Sequence, residues 1–310
     1  LERFGSDKPD TRFGMEITDL TDVVKDCGFG VFTSAIANGG TVRCITAKNG
    51  ASTFTRKEID KLTEYVKGIG VKGLAYIRWV EDAPNCSFGK FLGEGELDKI
   101  LAAAGAEKGD VVFIIADKKN TALTSLGALR LKCARQLNII PEGKFNFLWI
   151  TEFPFFEWNE ETQHWDAMHH PFTMPMDECL QYLDTAPEKV FAKAYDLVLN
   201  GTELSSGSIR ITDYELQQKM FESLGLTDEE IEAKFGFLVE AYKYGAAPHG
   251  GMGIGLDRLA MIMCGADSLR DVTAFPKVQN ASELMSNCPA AVDKDSLDIL
   301  GIEVTKSEDE

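Results

Sequence analysis

Apolar residues recur along this 310-residue chain at two spacings, and each change of spacing marks a predicted element. From Asp19 to about residue 140 the spacings alternate. They predict a helix near Leu20 to Cys27, then strands at Val31 to Ala37 and Val42 to Ala47 joined across Asn38-Gly39-Gly40. Thr55 and Glu58 stand at capping-box spacing ahead of Ile59, Leu62 and Val66, so a helix follows, and a strand is expected at Gly73 to Val80. A helix at Glu96 to Ala104, a strand at Asp110 to Ala116 and a helix near Thr124 to Leu137 complete a mixed unit. Gly105, Gly109 and Pro141-Glu142-Gly143 punctuate it.

The second half reads differently. An apolar strand is predicted at Phe147 to Phe156, a hairpin around Asn200-Gly201, a strand at Ser208 to Ile211 and a glycine-rich strand beyond residue 249. Helices near Pro187 to Ala194, Glu215 to Leu224, Asp228 to Tyr242 and Arg258 to Cys264 would cover one face of a mainly antiparallel sheet, an α+β arrangement. The chain opens in mid-stream on a polar, turn-rich stretch from Arg3 to Asp10, which reads as the interior of a longer protein. It ends on the charged stretch Lys306 to Glu310, expected to be a disordered tail.

Composition narrows the class. At 44% apolar content the chain can bury a full core, and runs such as Val111 to Ala116 fall far short of the roughly 20 residues of a membrane helix. No basic-then-apolar leader opens it, and the seven cysteines are scattered with no C-x-x-C pair. The expectation is a cytoplasmic protein with reduced thiols and no membrane association. The net charge of −17 is unevenly placed: residues 1–140 hold 20 Lys+Arg against 18 Asp+Glu, and residues 141–310 hold 12 against 31. The acidic half repels polyanions except at local basic points.

The first candidate chemistry sits on the Asn200-Gly201 hairpin. A two-residue turn sets Leu199 opposite Thr202, Val198 opposite Glu203 and Asp196 opposite Ser205. Asp196 and Glu203 are then diagonal neighbours on one face, a pair suited to magnesium shared with substrate phosphates. Downstream, Ser205-Ser206-Gly207-Ser208 offers hydroxyls and backbone donors leading to Arg210, whose fork could hold a carboxylate through two bonds. Strict alternation puts Glu203 and Arg210 on opposite faces, so a shared site requires a bulge, expected at Gly207.

The stretch from Gly250 to Arg258 alternates glycine with large apolar residues. Gly251, Gly253 and Gly255 leave one strand face as bare backbone on which a flat adenine could lie, and Arg258 opens a helix where its cation can stack on a base or hold a phosphate. Neither a Rossmann fingerprint nor a Walker A sequence is present. His169 and His170 adjoin in an aromatic context; they suit a polar loop over a substrate better than zinc, because neighbouring histidines on extended chain point apart.

Gly5-Ser6-Asp7-Lys8-Pro9-Asp10, His169-His170-Pro171-Phe172, Tyr195-Asp196 through Glu203 to Arg210, and Gly253 to Arg258 together resemble the bacterial-type aspartyl-tRNA synthetases, a class II family. The resemblance implies an α+β fold with residues 13–140 as a GAD-like insertion domain, 1–12 leading into it, 141–303 as the C-terminal part of the catalytic domain and 304–310 as the tail. It implies activation of L-aspartate by ATP to the adenylate, then transfer to tRNA(Asp), in a homodimer. Asp196 and Glu203 would hold magnesium on ATP; Gly255, Leu256, Asp257 and Arg258 would bind ATP, with Arg258 and Glu203 catalytic. Arg210 and His169 would bind aspartate, with His170, Ser205, Ser206 and Gly207 lining the substrate loop.

The chain departs from the family pattern as well. It holds no F-R-x-E sequence, the second motif's α-phosphate clamp, and neither the family's first motif nor its anticodon-binding barrel is recognisable, so this chain alone is expected to be inactive. GAD-like domains also occur in an amidotransferase subunit. A non-catalytic tRNA- or protein-interaction module, and a synthetase paralogue acting on a small amino acid, therefore stand as alternatives.

Overall fold

A computed structural model describes residues 1–80 and 82–305, which fall into two compact units, Leu1–Gly253 and Ile254–Glu310. The expected tail Lys306 to Glu310 lies outside the described residues. The first unit begins with β1 (Thr18–Asp19), α1 (Thr21–Val24), α2 (Gly30–Ala37), β2 (Thr41–Ala47), α3 (Arg56–Lys67), β3 (Ala75–Arg78) and β4 (Asn85–Cys86). Then come α4 (Glu96–Ala103), β5 (Val111–Asp117) and α5 (Lys119–Gln136).

The five strands form one antiparallel sheet in the order β1-β2-β5-β3-β4. Val111 to Ile115 are apolar at every position because both faces of β5 are buried. Val111, Phe113 and Ile115 face a core with Ile59, Leu62 and Val66 of α3 and Leu123, Leu126 and Leu129 of α5. Val112 and Ile114 face the opposite core, with Val24 of α1, Phe32 of α2 and Ile100 of α4. The alternation of β5 thus supports two helical layers.

Three expectations fail here. Residues 31–37 are helical, not a strand: Phe32 and Ile36, one turn apart, pack into the second core, and the edge beside β2 is taken by β1. Asn38-Gly39-Gly40 ends that helix, with the amides of Gly39 and Gly40 donating to Ile36 and Ala35 carbonyls, instead of turning a hairpin. Helix α3 starts after Thr55 as expected, yet the Thr55 side chain makes no cap bond and Glu58 pairs with Lys61 at 2.6 Å.

Beyond residue 140 the first unit continues with β6 (Phe147–Ile150), β7 (Phe153–Pro154), β8 (Phe156–Asn159), β9 (His164–Ala167), β10 (Phe191–Ala192), β11 (Ala194–Leu199), β12 (Thr202–Ile209), α6 (Tyr214–Ser223), α7 (Asp228–Lys243) and β13 (Gly250–Ile254). The expected strand at Phe147 to Phe156 is broken into three, with Glu152 at φ 59° at the first break. The expected helix at Pro187 to Ala194 is one turn of 3-10 helix followed by strand, because Val190, Ala192 and Ala194 alternate into a core with Phe153, Phe155 and Phe156. The main sheet here has the order β13-β12-β11-β6. Beside it, Phe221 of α6 stacks on Phe235 of α7 with ring centroids 4.9 Å apart, and Phe172 meets both edge-on.

In the second unit, α8 (Leu256–Cys264) and α9 (Lys294–Leu300) flank a long irregular segment. The Glu283 carboxylate organises part of that segment by accepting from the Met285 and Ser286 amides, each at 2.7 Å.

Candidate functional site

Asn200 and Gly201 turn with φ 52° and 85°, the double positive φ of a type I′ hairpin, and fix Leu199 opposite Thr202 and Val198 opposite Glu203 as expected. The register then shifts: Leu197 lies opposite Ser205, so Leu204 is the extra residue of a bulge, and Asp196 lies opposite Ser206 instead of Ser205. The bulge is therefore at Leu204, not Gly207. Leu204 and Ser205, consecutive at the bulge, are both buried, 4% and 2% exposed.

That one residue changes which side chains share a face. Glu203 is aligned with Val198 and hence with Asp196; past the bulge, positions 206, 208 and 210 carry the same face. Asp196, Glu203 and Arg210 are thereby set on one side of the hairpin. Asp196 is 7% exposed and its Oδ1 has no partner among the described residues, nor have the hydroxyls of Ser205 and Ser208. A buried, unpartnered carboxylate oxygen is costly unless a cation or water meets it. With Glu203 as its diagonal neighbour the donor set fits magnesium, which needs one or two carboxylates beside substrate phosphates. No cluster of three or more metal-ligating side chains occurs among the described residues. Lys8 lies 4.0 Å from Glu203.

Arg210 is held by its backbone and by a histidine. Its amide donates to the His249 carbonyl at 3.0 Å, and it bridges to Thr173. Its Nη1 donates to the ring of His170, 3.0 Å from Nδ1. Burial and then the Arg210 charge push the His170 pKa below its ordinary value, so the ring is a neutral acceptor. The loop carrying it is fastened by buried Gln217, which donates to the Pro171 carbonyl at 2.9 Å. The contact to Arg210 thus comes from His170, while His169 is exposed and packs its ring edge-on against Phe153 at 5.0 Å.

Gly207 is where two strands and a ring crowd together. A Cβ there would collide with the Gly251 carbonyl and lie 2.9 Å from Met252 Cα and 2.8 Å from Tyr195 Cε2. Without it, the Tyr195 hydroxyl reaches across β12 to donate to Gly251 O at 3.0 Å. At Gly251 and Gly253 the added atom would meet nothing within 4 Å, so this part of the glycine strand presents bare backbone to open space.

Within the second unit, Gly255 precedes Leu256, the first residue of α8, and the stem of Arg258 folds back to 3.3 Å from the position of a Gly255 Cβ. Arg258 is therefore the third residue of the helix and not its first. Asp257 lies in the first turn, and Leu256 is 75% exposed.

The family model for tRNA synthetases class II (D, K and N) matches residues 1–279. The chain belongs to the class II tRNA synthetases. Among relatives, it is 57% identical over 307 residues to the aspartate–tRNA ligase of Ruminiclostridium cellulolyticum, covering 99% of this chain and 52% of that protein. It is 53% identical over 307 residues to the aspartate–tRNA(Asp/Asn) ligase of Lachnoclostridium phytofermentans, covering 99% of this chain and 51% of that protein. The chain thus spans about half the length of the curated relatives it matches. Among solved class II structures, the aspartyl tRNA synthetase of Entamoeba histolytica aligns at 26% identity and a TM-score of 0.35, over 50% of this chain and 26% of that one.

Proposed function

We propose that this member of the class II synthetases takes part in activating L-aspartate with ATP and transferring it to tRNA(Asp). The observation that carries the reading is the Leu204 bulge, which aligns Asp196, Glu203 and Arg210 on one hairpin face. Arg210, braced by His170, binds the aspartate side-chain carboxylate, and an amide in its place leaves the guanidinium poorly paired, which selects against asparagine. His169 and the Ser205-Ser206-Gly207 stretch line the amino-acid loop. Asp196 and Glu203 hold magnesium, which when bound neutralises substrate phosphate charge. In the second unit Gly255, Leu256, Asp257 and Arg258 are the ATP-binding residues, with Arg258 supplying a planar cation for base or phosphate.

The domain assignment belongs to the same proposal: residues 13–140 form a GAD-like insertion and residues 141–303 contribute to the catalytic domain. The two-sided core of the five-stranded sheet, whose buried residues all fall within 17–133, supports a separately folding insertion. We further propose a homodimer acting in the cytoplasm; among the described residues no helix is long and apolar enough to cross a membrane. The 310 residues alone are proposed to be inactive, because no F-R-x-E clamp occurs in them.

The test is a chimera in which this chain replaces the matching half of the Ruminiclostridium cellulolyticum relative. The chimera is expected to charge tRNA(Asp) with aspartate. A folded chimera that charges nothing contradicts the reading.

A further inference from the structure

The core-facing stripe of α6 carries Gln217, Met220 and Phe221, so a polar residue stands on an otherwise apolar helix face. Gln217 is 0% exposed. Its Nε2 donates to the Pro171 carbonyl at 2.9 Å, while its Oε1 is buried with no partner among the described residues. For stability alone that is a poor choice, because a buried amide oxygen that has lost water and gained no donor offsets much of the one bond the nitrogen makes. A methionine would occupy a similar volume without an orphaned oxygen. The amide is better explained by what it places.

What it places is the turn that carries His170. Residues 170–173 form a β-turn with Pro171 in its second position, closed by the Thr173 amide donating to the His170 carbonyl at 3.3 Å. The central peptide of that turn is gripped from both sides: its carbonyl accepts from Gln217, and its N–H, that of Phe172, donates to His170 Nδ1 at 3.2 Å. Past the turn, the Ile211 amide donates to the Phe172 carbonyl at 2.9 Å and Thr173 bridges to Arg210, so the turn lies along the strand end that holds the guanidinium. The Phe172 ring, edge-on to Phe221 and Phe235, ties the turn to α6 and α7 but fixes no peptide plane. Gln217 thus closes a circuit from α6 through Pro171 and His170 to Arg210. It returns to α6 through Asp213, whose carboxylate caps the helix on the Leu216 amide. We propose that Gln217 is a positioning residue for amino-acid selection: it does not touch substrate, yet by orienting the His170 turn it sets the Arg210 guanidinium that reads the aspartate side chain. The inference rests on the aspartate reading given above.

Two readouts test it on Gln217→Met and Gln217→Leu, neither of which can donate to Pro171, after melting curves show them folded. In the 310-residue chain, nitrogen-15 spectra of the four histidines follow the His170 ring, whose pKa is held below its ordinary value by burial, Arg210 and His169. Without the amide the ring should swing off Arg210 and titrate closer to its ordinary value. A titration unchanged in the folded variants overturns the proposal. In the chimera, aspartate-dependent ATP–pyrophosphate exchange should show a KM for aspartate raised about fivefold, the effect of one net hydrogen bond. The kcat and the KM for ATP should change little, and the preference over asparagine should fall by a like factor. Adding either substitution to His170→Ala should raise the KM no further, because Gln217 acts through that ring. A KM for aspartate that stays at the parent's value, rises no more than that for ATP, or multiplies with the effect of His170→Ala overturns the proposal. So do variants that fail to fold, which assign Gln217 to the core alone. A parent chimera with no exchange sinks the aspartate reading and this inference together, whereas the other contrary outcomes sink this inference alone.

Discussion

Replacing Arg130 with methionine keeps the apolar stem of the side chain and removes the guanidinium that joins the N-terminal segment to α5. Three carbonyls, those of Asp10, Gly14 and Met15, then lose a charged donor in a place where the arginine is 2% exposed. Each buried acceptor left bare costs about 1–3 kcal/mol. The Phe4 and Phe13 rings, 4.8 and 4.1 Å from the guanidinium carbon, lose cation–π contacts of about 0.5–2 kcal/mol each. Against this, methionine relieves the desolvation that pulls the arginine pKa down. The low ends of these losses sum to about 4 kcal/mol, and allowing for that relief the net cost is about 3 kcal/mol, the low end of the range for breaking a buried charged network. In urea unfolding followed by circular dichroism, Arg130→Met should lose that amount. Arg130→Lys should recover less than half of it, since an ammonium cannot span three carbonyls held by a fork. A loss below about 1 kcal/mol for Arg130→Met would refute the view that this residue fastens the segment.

Three further outcomes are expected. His170→Ala in the chimera should raise the KM for aspartate about tenfold with a smaller change in kcat, because His170 positions Arg210. The depressed His170 pKa also has a pH consequence: its neutral form contributes stability that is present above about pH 6.5 and lost as pH falls through the lower folded value, so the KM should rise over that acid window and the rise should vanish in His170→Ala. Gly207→Ala should destabilise by about 1–3 kcal/mol, measured by chemical unfolding, because its Cβ forces β12 and β13 apart. With a thiol reagent at pH 8, exposed Cys264 and Cys288 should react in the native protein, while Cys44 and Cys133, pushed by burial to about 12, should react only after unfolding.

The helices and strands with strong periodicity were legible in the residues. Asp228 to Tyr242 is helical as spaced, and the Asn200-Gly201 turn fixed the first two hairpin pairs. Short apolar segments were ambiguous: Val31 to Ala37 has strand-like residues but lies in a helix, because burial of Phe32 and Ile36 outweighs local preference. The bulge at Leu204 was not legible in position, since nothing local distinguishes it from Gly207; it shows only in the register of β11 against β12. The choice between His169 and His170 depended on which ring the loop turns toward Arg210, a matter of tertiary packing around Pro171 and Gln217.

The most direct test of the central claim is aspartate-dependent ATP–pyrophosphate exchange by the chimera and its Arg210→Ala and Glu203→Gln variants, with asparagine as the competing substrate. The account predicts exchange that prefers aspartate in the parent, a fall of about 10²- to 10³-fold for Glu203→Gln, as for loss of one electrostatic stabiliser, and loss of the aspartate preference in Arg210→Ala. An Arg210→Ala chimera that still prefers aspartate over asparagine to the same degree would contradict it.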